Sequence, residues 1–281
     1  MQFTAAIRKT HRSFSDARID PPMTLDDPRF ELRLARNDAD LRAAQRLRYQ
    51  VFVEELGGDG PLVDHEARLE CDAFDEFFDH LLLIDRQQDT DSGERVIGVY
   101  RLLRSDMAAR AGRYYSEDEY DLSALKASGR KLMELGRSCV HADYRGSRAM
   151  YHLWSGLGDY VVEHDIEVMF GVASFHGTDI DAISTPLAYL HHNHLAPENL
   201  RARVLEPHFQ TMDLMPADQI DPRRALKAMP TLIKAYLRLG GFVGEGAFID
   251  HSFNTTDVFL LMDTQKISEK QRSMYTKGRR E

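Results

Sequence analysis

Cysteine is scarce in this chain. Cys71 and Cys139 are the two thiols in 281 residues, far apart and without a CxxC pair or histidines at metal-ligand spacing. That pattern argues against a disulfide scaffold or a zinc knuckle, and it predicts reduced thiols in a cytoplasmic setting. No apolar run approaches the ~20 residues of a membrane span, and the N-terminus lacks a signal-peptide apolar region. No long basic stripe offsets the net charge of −9, which argues against nucleic-acid binding. No internal repeat is visible. What is present is the composition of a soluble globular protein, 43% hydrophobic and 29% charged. The length suits one large domain, alone or with an appendage.

Residues 1–28 are polar, contain proline and show no period, so they predict a poorly ordered arm. Phe30–Ala35 alternates as a strand does. Asn37 or Asp38 could cap a helix running to about Leu56, where Gly57, Gly58, Gly60 and Pro61 stop it. His80–Asp85 and Arg95–Leu103 read as a hairpin around a polar Gln87–Glu94 turn. Leu132–Val140 reads as a strand, Ser147–His164 as a helix and Glu167–Ser174 as an apolar strand. Asp179–His192 and Ala228–Leu239 read as helices, with a strand pair following at Phe242–Phe248 and Asp257–Met262. Residues 264–281 form a polar, mostly basic tail. The order implies a mixed α/β sheet.

Charged residues interrupt the apolar runs. Arg48 lies with Phe52 in RLRYQVFVEELG, Asp72 and Asp75 in ECDAFD, Arg101 in VIGVYRLLRS, and Glu134 with Arg137 in KLMELGRSCV. An ionised group in apolar surroundings is costly unless it is paired or used. Six of them predict a buried polar site.

Their order, Arg48-x-x-x-Phe52, Asp72-x-x-Asp75, Arg101 before Leu-Leu and Glu134-x-x-Arg137, resembles acyl-homoserine-lactone synthases, which have the N-acetyltransferase-like (GNAT) fold. The resemblance to bacterial ornithine N-acyltransferases is closer. It rests on RYQVFVEE, GVYRLL, ELGRSCV, the Arg145-Gly146 turn and the late block LGGFVGEGAFIDHSFNTTDVF, from about residue 30 to residue 263. It implies a mixed, mostly antiparallel sheet flanked by helices over 29–263, with a helical insertion at about 179–240. It also implies transfer of a fatty acyl group, usually 3-hydroxyacyl, from acyl carrier protein to the α-amine of ornithine, giving lyso-ornithine lipid. Lactone synthases carry a Trp soon after the first helix, where this chain has Gly58.

An α-ammonium must lose a proton before it attacks a thioester, so a base is needed. Glu134 is the first candidate, with Asp72 and Arg137 beside it in the catalytic set. Strand alternation would turn Glu134 and Arg137 to opposite faces, and a bulge at Gly136 would bring them together. Arg48, Phe52, Asp75 and Arg101 form the expected substrate-binding set. The carboxylates suit an ammonium, and the arginines either bind the substrate carboxylate or brace the carboxylates. The HADYRGSRA turn keeps only Arg145-Gly146 and Ala149 of the cradle that CoA-dependent relatives place at a helix N-terminus. That suits a carrier-protein donor, with Arg145, Gly146 and Arg148 facing it.

No cofactor beyond the carrier-bound phosphopantetheine thioester is expected, and no metal. His176 to Asp181 spells HxxxxD, for which a helix cap at Thr178 or Asp179 is the simpler account. His191, His192 and His194 read as a solvated helix end. Met133, Val140, Met150, Leu153, Trp154, Leu157 and Phe170 are candidates for an acyl tunnel, though such residues are more often simple core. The amphipathic product leaves peripheral contact with the inner membrane open, through the basic tail. Two other readings stay open: a lactone-synthase-like acyltransferase, and a non-enzymatic, haemolysin-like membrane-active protein.

Overall fold

A computed structural model describes residues 28–90, 93–146 and 149–267, together with the backbone of Gln2–Phe3. The rest of the expected N-terminal arm, Arg148 and the tail beyond Ile267 lie outside the described residues.

The described residues build a ten-stranded mixed sheet. Its main strands are β1 (Phe30–Leu34), β2 (Asp79–Thr90), β3 (Gly93–Arg104), β4 (Leu132–Val140), β5 (Val168–His176), β6 (Phe242–Asp250) and β7 (Thr255–Asp263). They lie in the order β1-β2-β3-β4-β5-β7-β6, and the short strands Arg203–Val204 and Tyr120–Asp121 complete the far edge. Neighbouring main strands are antiparallel except β4 and β5, which run parallel.

Helix α1 (Asp38–Arg48) covers one face. The Asn37 side chain caps it by accepting from the Asp40 amide, as the sequence suggests. The helix does not stop at Arg48 but continues as a π-helix over Tyr49–Glu55. Ala44, Leu47, Val51 and Phe52 pack there on Leu82, Ile84, Val99 and Cys139. Helices α2 (Ala149–Glu163), α3 (Ser184–His194) and α4 (Thr231–Arg238) pack on the opposite face. None of the described helices is long and apolar enough to cross a membrane.

Two expectations need adjustment. The polar Gln87–Glu94 stretch is mostly strand, because β2 and β3 pair out to Thr90 and Gly93. The helix read from Ala228 to Leu239 starts only at Thr231, as α4, because Pro230 breaks the chain away from a separate short helix, Pro222–Ala228, that ends where the expected one began. The acidic ECDAFDEFFD stretch passes from the short strand Leu69–Glu70 through turns into β2.

The parallel pair positions the site. β4 and β5 pair only from Leu132–Val168 to Leu135–Gly171, although both strands continue. Beyond that point β5 takes Gln2–Phe3 as its neighbour at Val172 and Ala173. On its other edge, β4 sets Arg137 and Ser138 against the single residue Tyr100 of β3, which is a β-bulge. Arg137 sits there at φ 51°, in the left-handed region that residues other than glycine rarely adopt.

Candidate active site

Six charged side chains meet under α1. Arg48 is 0% exposed. Its Nε donates to Glu70 Oε2 at 2.5 Å, and Nη1 and Nη2 donate to the two Asp75 carboxylate oxygens at 2.6 and 3.1 Å. Nη2 also donates to the Glu70 carbonyl at 2.6 Å. Arg101 Nη1 donates to Asp72 at 2.8 Å and to Asp75 at 2.7 Å, while its guanidinium lies 4.2 Å from the Phe78 ring centre. Arg137 Nε donates to the other Glu70 oxygen at 2.8 Å. Three guanidiniums therefore interlock with three carboxylates.

Each element contributes for a local reason. Arg48 falls on the buried side of the last turn of α1, beside Gln45, whose amide donates to Asp75 at 2.9 Å. Asp72 and Asp75 shape their own turn: Asp72 accepts from the Phe74 amide at 2.9 Å, and Asp75 from the Asp72 amide at 3.3 Å. Burial opposes ionisation of Asp75, but Arg48 and Arg101 overcome it and hold the carboxyl well below the usual range. Asp72 is lowered in the same way, with Arg101 and Arg137 outweighing burial.

Glu134 is equally buried, at 1% exposed, but stands apart from this network. Its two oxygens accept from the backbone amides of Tyr115 at 2.6 Å and Ser116 at 2.8 Å. Burial pushes its carboxyl above the ordinary value against the pull of those donors. Among the described contacts Tyr115 links it to Arg137, whose Nη2 donates weakly to the Tyr115 hydroxyl at 3.4 Å. The expected bulge exists, but one residue past Gly136, at Arg137 itself.

The other sequence candidates divide. Phe52 is buried, with the Arg137 guanidinium 5.8 Å from its ring centre. Arg145 donates to Glu55 at 2.6 Å and to the Val140 carbonyl at 2.9 Å, so it ties the turn to the π-helix. Gly146 follows it at φ 76°. A Cβ at Gly58 would lie 2.6 Å from the Phe253 ring and 2.8 Å from the Phe52 carbonyl oxygen, so this position cannot hold a Trp without rearrangement. The HxxxxD pattern has a structural account: Asp179 accepts from the amides of Asp181 and Ala182. His191 and His192 bring their ring nitrogens within 4.8 Å of Asp213 and of each other near the end of α3.

Three participants escaped the sequence reading. Glu70 is the hub joining Arg48 to Arg137, and the sequence marks it only as the first carboxylate of ECDAFD. Tyr115 lies beyond any motif spacing. His80 donates Nε2–H to the Asp75 carbonyl at 2.9 Å, and burial pushes it down to about 4, so it is neutral near pH 7. His80 faces Arg101 across the β2–β3 pair, and its alternation with Leu82 and Ile84 was the available signal.

A mixed sheet that opens between two parallel strands beside a buried carboxylate is the framework of a GNAT-fold acyltransferase, and residues 47–155 match the family model of the acetyltransferase (GNAT) domain. The chain is 63% identical over 248 residues to the L-ornithine N(alpha)-acyltransferase of Rhodobacter capsulatus, covering 88% of this chain and 95% of that one. It is 43% identical to the protein of the same name from Brucella abortus, covering 88% of each. The chain belongs to the L-ornithine N(alpha)-acyltransferase family. Among solved structures, an N-acyl amino acid synthase from uncultured soil microbes aligns loosely, at 12% identity and a TM-score of 0.47, over 87% of this chain and 97% of that one.

Proposed function

We propose that the protein transfers a 3-hydroxy fatty acyl group from acyl carrier protein to the α-amine of L-ornithine, giving lyso-ornithine lipid. The observation that carries this reading is the place of Glu134. It sits in the penultimate pair before β4 and β5 part, as a buried carboxylate with a raised pKa. A base poised above the usual carboxylate range is better matched to an ammonium proton.

In the proposed step the ornithine α-ammonium gives a proton to Glu134. The freed nitrogen lone pair attacks the thioester carbonyl carbon, the C–N bond forms and the C–S bond breaks. The nitrogen loses a second proton as the amide forms. One of the two protons ends on the departing thiolate and the other in solvent. Each Glu134 oxygen keeps a further lone pair beside the one the backbone amide occupies. In this reading Arg48 positions the Asp72–Asp75 turn rather than touching substrate, because its donors are committed to Glu70 and Asp75. Arg101 braces the same turn through Nη1 alone, and its buried Nε meets no partner among the described residues.

The acyl chain fits an apolar cavity of about 360 Å³ lined by Trp154, Leu157, Met169, Tyr236 and Met262. A smaller void shares Met169, Tyr236 and Met262 with it and reaches Leu135 and Gly171, the last paired residues of β4 and β5. Trp154 and Leu157 were among the sequence candidates for a tunnel. The direct test is thiol release from 3-hydroxyacyl carrier protein on addition of ornithine, with mass spectrometry of the product. Absence of ornithine-dependent release refutes the proposal.

A further inference from the structure

Two glycines of α2 lack a side chain for different reasons. A Cβ at Gly156 would collide with the Leu32 side chain, so close packing on β1 accounts for it. Gly158, one pair of residues on, has no such neighbour: a Cβ there would meet nothing within 4 Å. It needs no left-handed backbone either, because it lies inside the helix with an ordinary φ. Glycine in a helix interior is disfavoured against alanine by the backbone entropy it loses. Neither packing nor backbone conformation therefore accounts for Gly158.

What Gly158 borders is open volume. It lines the apolar cavity of about 360 Å³ together with Trp154, Leu157, Val161 and Ile166. The inner end of that cavity, at Met169, Tyr236 and Met262, is shared with the smaller void that reaches Leu135 and Gly171, where β4 and β5 part. Gly158 belongs to the outer part, which the smaller void does not share and whose wall continues to Glu167. Four residues of extended chain separate Gly171 from Glu167, about 13 Å. An extended alkyl chain advances about 1.3 Å per carbon, so about ten carbons cover that span. A long acyl chain entering at the strand opening therefore runs into the outer part, and a short one ends before its far wall.

We infer that Gly158 sets the acyl-chain length the protein accepts, its missing side chain leaving the room in which the distal methylenes of a long acyl group lie. This rests on the proposed function and deepens it, because it names long-chain acyl donors as the substrate class. Gly158 lies away from the reacting atoms and acts on specificity alone. A larger side chain at this position occupies cavity volume without first displacing protein. Each acyl methylene it keeps from burial costs about fourfold in affinity.

Two readouts on the full-length protein test the inference. The first is ornithine-dependent thiol release from 3-hydroxyhexadecanoyl and 3-hydroxyoctanoyl carrier protein. The second needs no catalysis. Trp154 is the single tryptophan of the chain and lines the cavity, so its fluorescence reports binding of the free 3-hydroxyhexadecanoate. Gly158→Leu is expected to lower kcat/KM for the long donor at least tenfold and to weaken long-chain binding in parallel, while the short donor stays within about threefold. Its melting midpoint should hold or rise, because leucine is the better helix former. A folded variant with an unchanged ratio of long to short donor use overturns the inference and leaves the proposed function standing, as does wild-type Trp154 fluorescence indifferent to the long-chain acid. Wild type that binds the long-chain acid in a manner weakened by Gly158→Leu, yet shows no ornithine-dependent release, overturns the proposed function and keeps the acyl cavity. If Gly158→Leu fails to fold, Gly158→Ala decides: its one added methyl is expected to cost the long donor about fourfold and to spare the short one, and equal effects on the two overturn the inference.

Discussion

Replacing Asp75 by Asn tests whether the interlocked charges hold the fold. The carboxylate accepts from Gln45, Arg48, Arg101 and the Asp72 amide, and both its oxygens are engaged. An Asn amide group would point a donor either at Gln45 and Arg48 or at Arg48 and Arg101. The substitution also leaves three guanidiniums with two carboxylates in a core where Arg48 is fully buried. Breaking a buried pair from one side costs about 3–5 kcal/mol, far more than an exposed pair would. At about 2–4 °C per kcal/mol for a large domain, the melting midpoint should fall by roughly 6–20 °C. Calorimetry, or urea unfolding near neutral pH, measures this. Combining Asp75→Asn with Arg101→Met restores the charge balance and should recover part of the loss, as a coupling of about 0.5–3 kcal/mol. A single variant melting within about 2 °C of the wild type refutes the reasoning, because no buried charge would then have been left uncompensated.

Glu134→Gln should lower turnover by about 10²- to 10⁴-fold if the carboxylate is the base. The acid limb of the wild-type pH–rate profile, placed above the ordinary carboxylate value because Glu134 is raised by burial, should vanish with it. Asp72 and Asp75 titrate below 3.8 in the folded protein. Their contribution to stability is therefore complete above 3.8 and is lost as pH falls through the lower folded values. Asp75→Asn should accordingly flatten the drop in urea midpoint between about pH 4 and pH 2; an unchanged slope would count against the assignment. Cys139 is buried and pushed up to about 12, whereas Cys71 is only half-buried. A disulfide reagent at mildly alkaline pH should label Cys71 in the native protein and reach Cys139 only on unfolding; rapid labelling of both would contradict the packing.

Much of the architecture was legible from periodicity. β4 runs over Leu132–Val140, the same bounds that its apolar pattern gives, and the Asn37 cap was readable from residue type. Five of the six charges stranded in apolar runs meet in space, since burial forces them to find one another, and Glu134 stays outside that network. Their pairing was not legible. Glu134 and Arg137 are close in sequence, yet Glu134 turns to two backbone amides contributed by a distant turn while Arg137 turns to Glu70. Nothing local announces which partner wins, because that depends on where Tyr115 and Glu70 arrive from elsewhere. The bulge position was unreadable for a related reason. Gly136 carries the better intrinsic preference for a left-handed backbone, but the ion pair made by Arg137 rewards that residue for taking it.

The equal numbers of guanidiniums and carboxylates under α1 have a consequence for the electric field. Their charges sum to zero at close quarters, so they generate no monopole and their potential decays steeply with distance. The formal charge of −9 therefore arises from groups elsewhere in the chain. Mobile ions act on exposed charge over a Debye length of about 8–10 Å and scarcely reach a dry, balanced cluster. Ionic strength can thus modulate the first encounter of a charged protein with this surface without loosening the interior that orients the site.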